Sequence, residues 1–358
     1  MTNNDAGLRG AHTWNEILSQ GAVWPEILEQ LSQSTHVERI LRDVKKQQDW
    51  IFVGCGTSFY LAESAANSWT LLTGQRARAL PASEVLLFPQ LGQTEGCDVR
   101  AVVISRSGGT SETVRAANLL SRELHVPTLG ITCTGGTALE RVCDSTIVLQ
   151  AANEQSTVMT RSFTSMLLAL QYVAARSADN TKLIESLGKM AKHFATKIDS
   201  VAEAFHGFVT EHSFVDYVFL GQGPFHGIAR EAALKVMEMS CSYSQNFHTL
   251  EFRHGPKAIV SPATCLTFFL SETGYAAEAE VLAEMKELGG VTVAVCNRAR
   301  QSVRNACDLV VEIDCDGNEL ALLAPYTVCG QLLGFFTGKG KGLDPDHPKN
   351  LTRVVILD

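Results

Sequence analysis

Positive charge is scarce in this sequence. Its 30 Lys and Arg stand against 38 Asp and Glu, a net charge of −8, which leaves no basic surface for a nucleic-acid backbone. No continuous apolar run approaches the ~20 residues that cross a bilayer, and the opening MTNNDAGLRGAHTW lacks the apolar stretch of a secretory signal. The expectation is a cytoplasmic protein without a membrane partner. Ten cysteines are present but no C-x-x-C pair, and several lie inside apolar runs, so they read as reduced core thiols rather than disulfides or zinc ligands. Both G-x-x-x-x-G-K-[ST] and G-x-G-x-x-G are missing, which argues against nucleoside triphosphates and dinucleotides. No cofactor or metal is called for.

What is present is ordinary globular composition, 358 residues with 45% apolar and 19% charged side chains, enough for two domains. After a polar start, Trp14, Ile17, Leu18, Ile27, Leu28, Leu31, Ile40, Leu41 and Val44 recur at helical spacing and predict two leading helices, with Pro25 in the first turn of the second. Five short apolar runs follow, at 50–54, 76–80, 101–105, 127–132 and 145–149, separated by amphipathic stretches. They predict a parallel, doubly wound α/β unit. Residues 162–210 contain no proline and predict a connecting pair of helices.

The strand pattern then begins again at YVFLG (217–221). Gly54, Ser105, Cys133 and Asp144 recur as Gly221, Ser271, Cys296 and Asp308 at separations of 167, 166, 163 and 164 residues. A nearly constant offset across four landmarks is an internal duplication. The expected organisation is a helical lead-in at 1–48, an α/β domain at 49–180, a connecting helix at 181–211 and a second α/β domain with a C-terminal tail at 212–358.

The strongest local signal is Ser105-Arg106-Ser107-Gly108-Gly109-Thr110, which follows an apolar strand and opens a helix. Such a turn offers backbone N–H groups to an anion, with three hydroxyls and the Arg106 charge beside them. A plain helix cap is the simpler reading, but three hydroxyls and two glycines exceed what a cap needs. Gly54-Cys55-Gly56-Thr57-Ser58 is a second turn of this kind, and in doubly wound sheets such turns converge at the carboxyl edge. A single sugar phosphate suits the pair. Their counterparts, Gly221–Phe225 and Ser271–Tyr275, have lost hydroxyls and gained bulk and an acid, so the second copy is not expected to bind phosphate there. The second copy carries Glu231, Lys235 and Glu238 at i, i+4 and i+7 on one helix face. Alone these would be a solvated, ion-paired face. His248, Glu251, Arg253, His254 and Lys257 crowd the segment that follows, and together they point toward an acid–base site.

These residues resemble the sugar isomerase (SIS) family, and specifically its double-domain members similar to the isomerase half of glucosamine-6-phosphate synthase. The likeness covers roughly residues 13–358 and is most specific in CGTS (55–58), SRSGGTSET (105–113), ALKVMEMS (233–240), EFRHGP (251–256) and PKNLTRVV (348–355). The resemblance implies two tandem SIS domains, each a five-stranded parallel sheet flanked by helices. It implies that Ser58, Ser105, Ser107 and Thr110 hold the 6-phosphate, that Lys235, Glu238 and His254 are catalytic, that Thr157 lines the sugar site, and that the chain is a homodimer with His254 crossing into the neighbouring subunit. Two departures limit the likeness. No glutamine amidotransferase domain is expected ahead of the pair, and the position aligned with the synthase's imine-forming lysine is Arg353, whose guanidinium is a poor nucleophile. Arg353 is therefore expected to contact substrate without forming an imine. TWNEILSQGAVWPEIL resembles the tagatose/galactosamine-6-phosphate isomerase-deaminase group. The implied activity is aldose–ketose isomerisation of an amino-sugar 6-phosphate coupled to loss of the amine. The alternatives are a fructosamine-6-phosphate deglycase and a non-catalytic sugar-phosphate sensor.

Overall fold

The computed structural model describes residues 9–44, 48–93, 96 and 98–357. Two compact units emerge. The first comprises Ala22–Glu154, Arg161–Gly188 and residues 352–357; the second comprises residues up to Gly21, Gln155–Thr160 and Lys189–Leu351.

In the first unit, β1 (Asp49–Gly54), β2 (Ala77–Pro81), β3 (Val99–Ile104), β4 (Thr128–Thr132) and β5 (Ser145–Val148) form one sheet in the order β2-β1-β3-β4-β5. All its pairings are parallel. The central strands are buried on both faces, as their unbroken apolar runs require. One face packs Ile51, Val53, Ala101 and Val103 against Val85, Ala116, Leu120 and Leu139. The helix Arg161–Ser177, buried over Ser162–Ala175, packs against Thr57–Thr73.

The second unit repeats the plan with β6 (Asp216–Gly221), β7 (Tyr243–His248), β8 (Thr264–Phe269), β9 (Val291–Cys296) and β10 (Leu309–Glu312), ordered β10-β9-β8-β6-β7 and again parallel. Read from its other edge, this is the order of the first sheet, so the duplication extends to topology. The backbone repeats in detail: Gly56 lies at φ 52°, ψ −124° and Gly223 at φ 55°, ψ −128°.

Four expectations need correction. Three helices lead in, Ala11–Leu18, Gln20–Gln33 and Thr35–Asp43, and Pro25 lies inside the second rather than in its first turn. Gly21 has no room for a Cβ, which would fall 2.6 Å from the Cα of Ala195, and helix begins at Gln20 beside that contact. The stretch 162–210 lies within three helices, Arg161–Ser177, Thr181–Ala195 and Ile198–Glu211. A break comes at Asp179, whose φ of 51° is left-handed and which no proline announces. One segment, Glu319–Gly340, is long and apolar enough to cross a membrane, but 94% of its apolar window is buried inside the protein. It is a core helix, apolar on every side because it is surrounded; its longest part, Leu323–Gly340, packs on Pro224–Ser240, Ile198–Glu211 and Ala11–Leu18. Finally, the nine cysteines among the described residues are free, but Cys241 is exposed rather than in the core. Burial pushes the other eight thiols up, that of Cys143 to about 12.

Candidate active site

In the first sheet, β1 leads to β2 on one side and to β3 on the other, so the gap between β1 and β3 is the topological switch point where doubly wound sheets bind ligands. The two glycine-rich turns are those that leave these strands. After β3, the backbone N–H of Gly108 donates to the Ser105 hydroxyl at 3.1 Å, and that of Gly109 to the Ser107 hydroxyl at 3.2 Å. Gly108 has φ +61°, and a Cβ there would fall 2.3 Å from the Thr137 hydroxyl, so only glycine fits. A Cβ at Gly109 would meet nothing nearer than 3.9 Å, so the turn is open on that side. Thr110 caps the helix Ser111–Asn118 by backbone alone, without a side-chain hydrogen bond, so the plain-cap reading does not account for its hydroxyl.

After β1, a Cβ on Gly54 would fall 2.5 Å from the carbonyl of Ser58. This close approach places buried Ser58 at the start of the helix Thr57–Thr73. The structure brings the turns together through the Cys55 thiol, 3.3 Å from the Thr113 hydroxyl. Burial raises the Cys55 pKa and outweighs that hydrogen bond, so the thiol stays neutral.

Arg106 and Arg353 are oriented differently from expectation. The Arg106 guanidinium lies 3.3 Å from the buried Glu154 carboxylate and donates to the carbonyl of Arg353 at 3.0 Å. Arg353 in turn donates to the Asn153 side chain at 3.0 Å and to the Glu154 carbonyl. The tail continues with Val355 accepting from the Ser111 N–H and Leu357 donating to the Ser111 hydroxyl. Both cations therefore have protein partners that hold the tail beside the Ser105–Thr110 turn. Glu154, which nothing in the sequence reading singled out, is a node of this network and also accepts from the Ser162 N–H and hydroxyl.

The second unit holds the candidate acid–base groups. Glu231 and Lys235 are completely buried on the helix Pro224–Ser240, whereas the Glu238 side chain is 18% exposed. The reading as a solvated face is therefore excluded. The Lys235 ammonium sits 3.3 Å from Glu231 and is hydrogen-bonded to Glu238. Burial pulls its pKa down, but the two carboxylates more than reverse this and leave it raised, so the ammonium stays charged. The burial comes from the helix Leu323–Gly340, where Gly330, Gly334 and Gly338 leave no space for a Cβ against Ala232, Lys235 and Met239. His254 is exposed, at the end of the short 3-10 turn Glu251–Arg253, whose base is held by a two-bond Arg253–Glu284 pair. His226 stacks on His248 at 3.7 Å, and burial followed by repulsion from His248 and Arg230 pushes its pKa down to about 4. Neutral near pH 7, His226 was not foreseen from sequence.

The degenerate turn of the second unit keeps the old geometry, with the Gly274 N–H donating to the Ser271 hydroxyl at 2.8 Å as Gly108 does to Ser105. Its remaining donors are satisfied internally. Glu278 accepts from the N–H and hydroxyl of Ser271, both at 2.7 Å, and Glu319 accepts from the N–H groups of Glu272 and Thr273 at 2.8 and 3.1 Å. The chain's own carboxylates stand where an anion would. Among the described residues no group of three or more His, Cys, Asp or Glu is arranged to hold a metal.

With this architecture in place, the SIS domain model matches residues 44–176 and 216–333, and the chain belongs to that family. It is 29% identical over 354 residues to a Streptomyces coelicolor protein provisionally named D-galactosamine-6-phosphate deaminase AgaS, covering 94% of this chain and 91% of that one. It is 26% identical to the glutamine–fructose-6-phosphate aminotransferase of Pyrobaculum aerophilum, of whose length it spans about half, 54%. The solved glucosamine-6-phosphate deaminase of Thermotoga maritima superposes with a TM-score of 0.78 at 27% identity, covering 97% of this chain and all of that one. The Escherichia coli tagatose-6-phosphate ketose/aldose isomerase, at 22% identity and a TM-score of 0.82, shares the fold.

Proposed function

We propose that this chain is a cytoplasmic, homodimeric enzyme that converts an amino-sugar 6-phosphate and water into a ketose 6-phosphate and ammonia. The observation that carries this reading is the pairing of a partly exposed carboxylate, Glu238, with a buried and charged ammonium, Lys235. Ser58, Ser105, Ser107 and Thr110 of the domain at 49–180 hold the phosphate, with Arg106 and Arg353 organising the turn and Thr157 lining the sugar. Lys235, Glu238 and His254 of the domain at 212–358 do the chemistry. His254, supplied by the neighbouring subunit, opens the pyranose ring. Glu238 removes the proton from C2, and Lys235 stabilises the oxyanion that develops on the C1 oxygen. Glu238 then returns the proton to C1, the C1 oxygen takes up the proton that the amine nitrogen releases, and the imine left at C2 is hydrolysed as water adds there and ammonia departs.

The test is incubation with a panel of glucosamine, galactosamine and fructosamine 6-phosphates, following ammonia and ketose together. Ammonia and ketose released in equal amounts are the expected result. Release of an amino acid from a fructosamine 6-phosphate, or binding of every compound without turnover, would overturn the reading. A further expected outcome concerns the grip. Gly108→Ala should raise KM by about ten- to a hundredfold, the loss of one or two charge-assisted hydrogen bonds, and should cost kcat little. Steady-state kinetics decide it, and an unchanged KM would place the phosphate elsewhere.

A further inference from the structure

The helix Ala11–Leu18 contains a carboxylate that the proposed chemistry does not use. Glu16 is only 4% exposed. Its oxygens accept from the backbone N–H of Gln155, the N–H of Ser156 at 3.3 and 3.4 Å, and the hydroxyl of Ser156. That hydroxyl also lies 2.9 Å from the carbonyl of Val158, which bends the chain back on itself. Within Gln155–Thr160, four residues are buried and Thr157 is the half-exposed one between buried Ser156 and Val158. The far end is pinned as well. Gln331 donates to the carbonyl of Thr160 at 3.1 Å and accepts from Gln20 at 2.7 Å, and both glutamines are completely buried.

Gln331 lies between Gly330 and Gly334, the two positions where its helix meets Ala232 and the backbone of Lys235 without room for a Cβ. The chain of contacts thus runs from Glu16 and Gln20 through the 155–160 strap and Gln331 to the helix that bears Lys235 and Glu238. A buried carboxylate is costly unless donors surround it, and the donors from Gln155 and Ser156 belong to one six-residue segment. We propose that Glu16 is a positioning residue, which holds the strap so that Thr157 is presented to the sugar; this rests on the reading of Thr157 given above.

The test compares Glu16→Gln with Ile17→Val, which trims a buried apolar side chain on the same helix and removes no hydrogen bond to the strap. Glutamine keeps the shape of Glu16 but turns an NH₂ toward groups that are themselves donors. Glu16→Gln is expected to speed amide hydrogen exchange at 155–160 and to lower kcat by about ten- to a hundredfold, the scale set by small misplacements of reacting groups, with KM nearly unchanged. Ser156→Ala, which removes one donor from the other side, should show the same pattern and serves if Glu16→Gln folds poorly. Exchange at 155–160 that stays at the wild-type rate overturns the proposal, as does an equal fall in kcat for Ile17→Val. Thr157→Ala separates the two layers. If it is fully active while Glu16→Gln still loosens the strap, the reading of Thr157 is wrong and the hold exerted by Glu16 stands.

Discussion

Glu238→Gln is expected to lower kcat by about 100- to 10,000-fold, the usual contribution of a general acid–base group, while affinity for the sugar phosphate stays close to wild type. In the proposed mechanism the carboxylate moves a proton, whereas the proposed grip on substrate lies on Ser105, Ser107 and Thr110. The substitution is isosteric, and Lys235 keeps Glu231 at 3.3 Å as a partner, so the buried ammonium is not left without a counter-ion. That matters because stranding a buried charge costs about 3–5 kcal/mol, enough to confuse loss of fold with loss of chemistry. Calorimetric titration with a non-reacting sugar phosphate, run beside kinetics, checks both halves. A variant with wild-type kcat and weakened binding would reduce Glu238 to one charge on a helix.

The contrast between Glu238 and its neighbours shows how far the sequence could be read. The strands were legible because central parallel strands are buried on both faces and so appear as unbroken apolar runs. The duplication was legible because Gly54 and Gly221 cannot change, each lying too close to the backbone of the helix that follows. The state of Glu231 and Lys235 was not legible. An i, i+4 pair is written the same way whether it faces water or core. What buries this one is a helix about a hundred residues further on, with three glycines at the contact. Glu319 hid for a similar reason, since its role as internal occupant of the second turn depends on backbone N–H groups 46 and 47 residues away. Arg106 and Glu154 became partners through the fold alone. The residue types announced a site, and tertiary contacts decided which of the charges were free for a ligand.

Mixing Glu238→Gln with His254→Ala, each inactive alone, is expected to restore up to about a quarter of normal activity once subunits exchange, by counting sites in a symmetric dimer. In a site that takes Glu238 from one chain and His254 from the other, random exchange of equal amounts makes half of the dimers mixed. Each mixed dimer has one site with both groups intact and one with neither. Two features of the chain support this arrangement. His254 is exposed, on a turn fixed at its base by Arg253 and Glu284, and Gly255 follows it at φ +120°. Near Glu238, Met237 and Tyr243 are 47% and 66% exposed, with Tyr243 on β7, the edge of its sheet. Large apolar side chains beside an unpaired strand edge are what a partner surface would cover. Subunit exchange is followed independently by native mass spectrometry of differently tagged variants. Should mixed dimers form and the mixture remain inactive, both groups come from one chain, and His254 must reach the sugar from its own subunit.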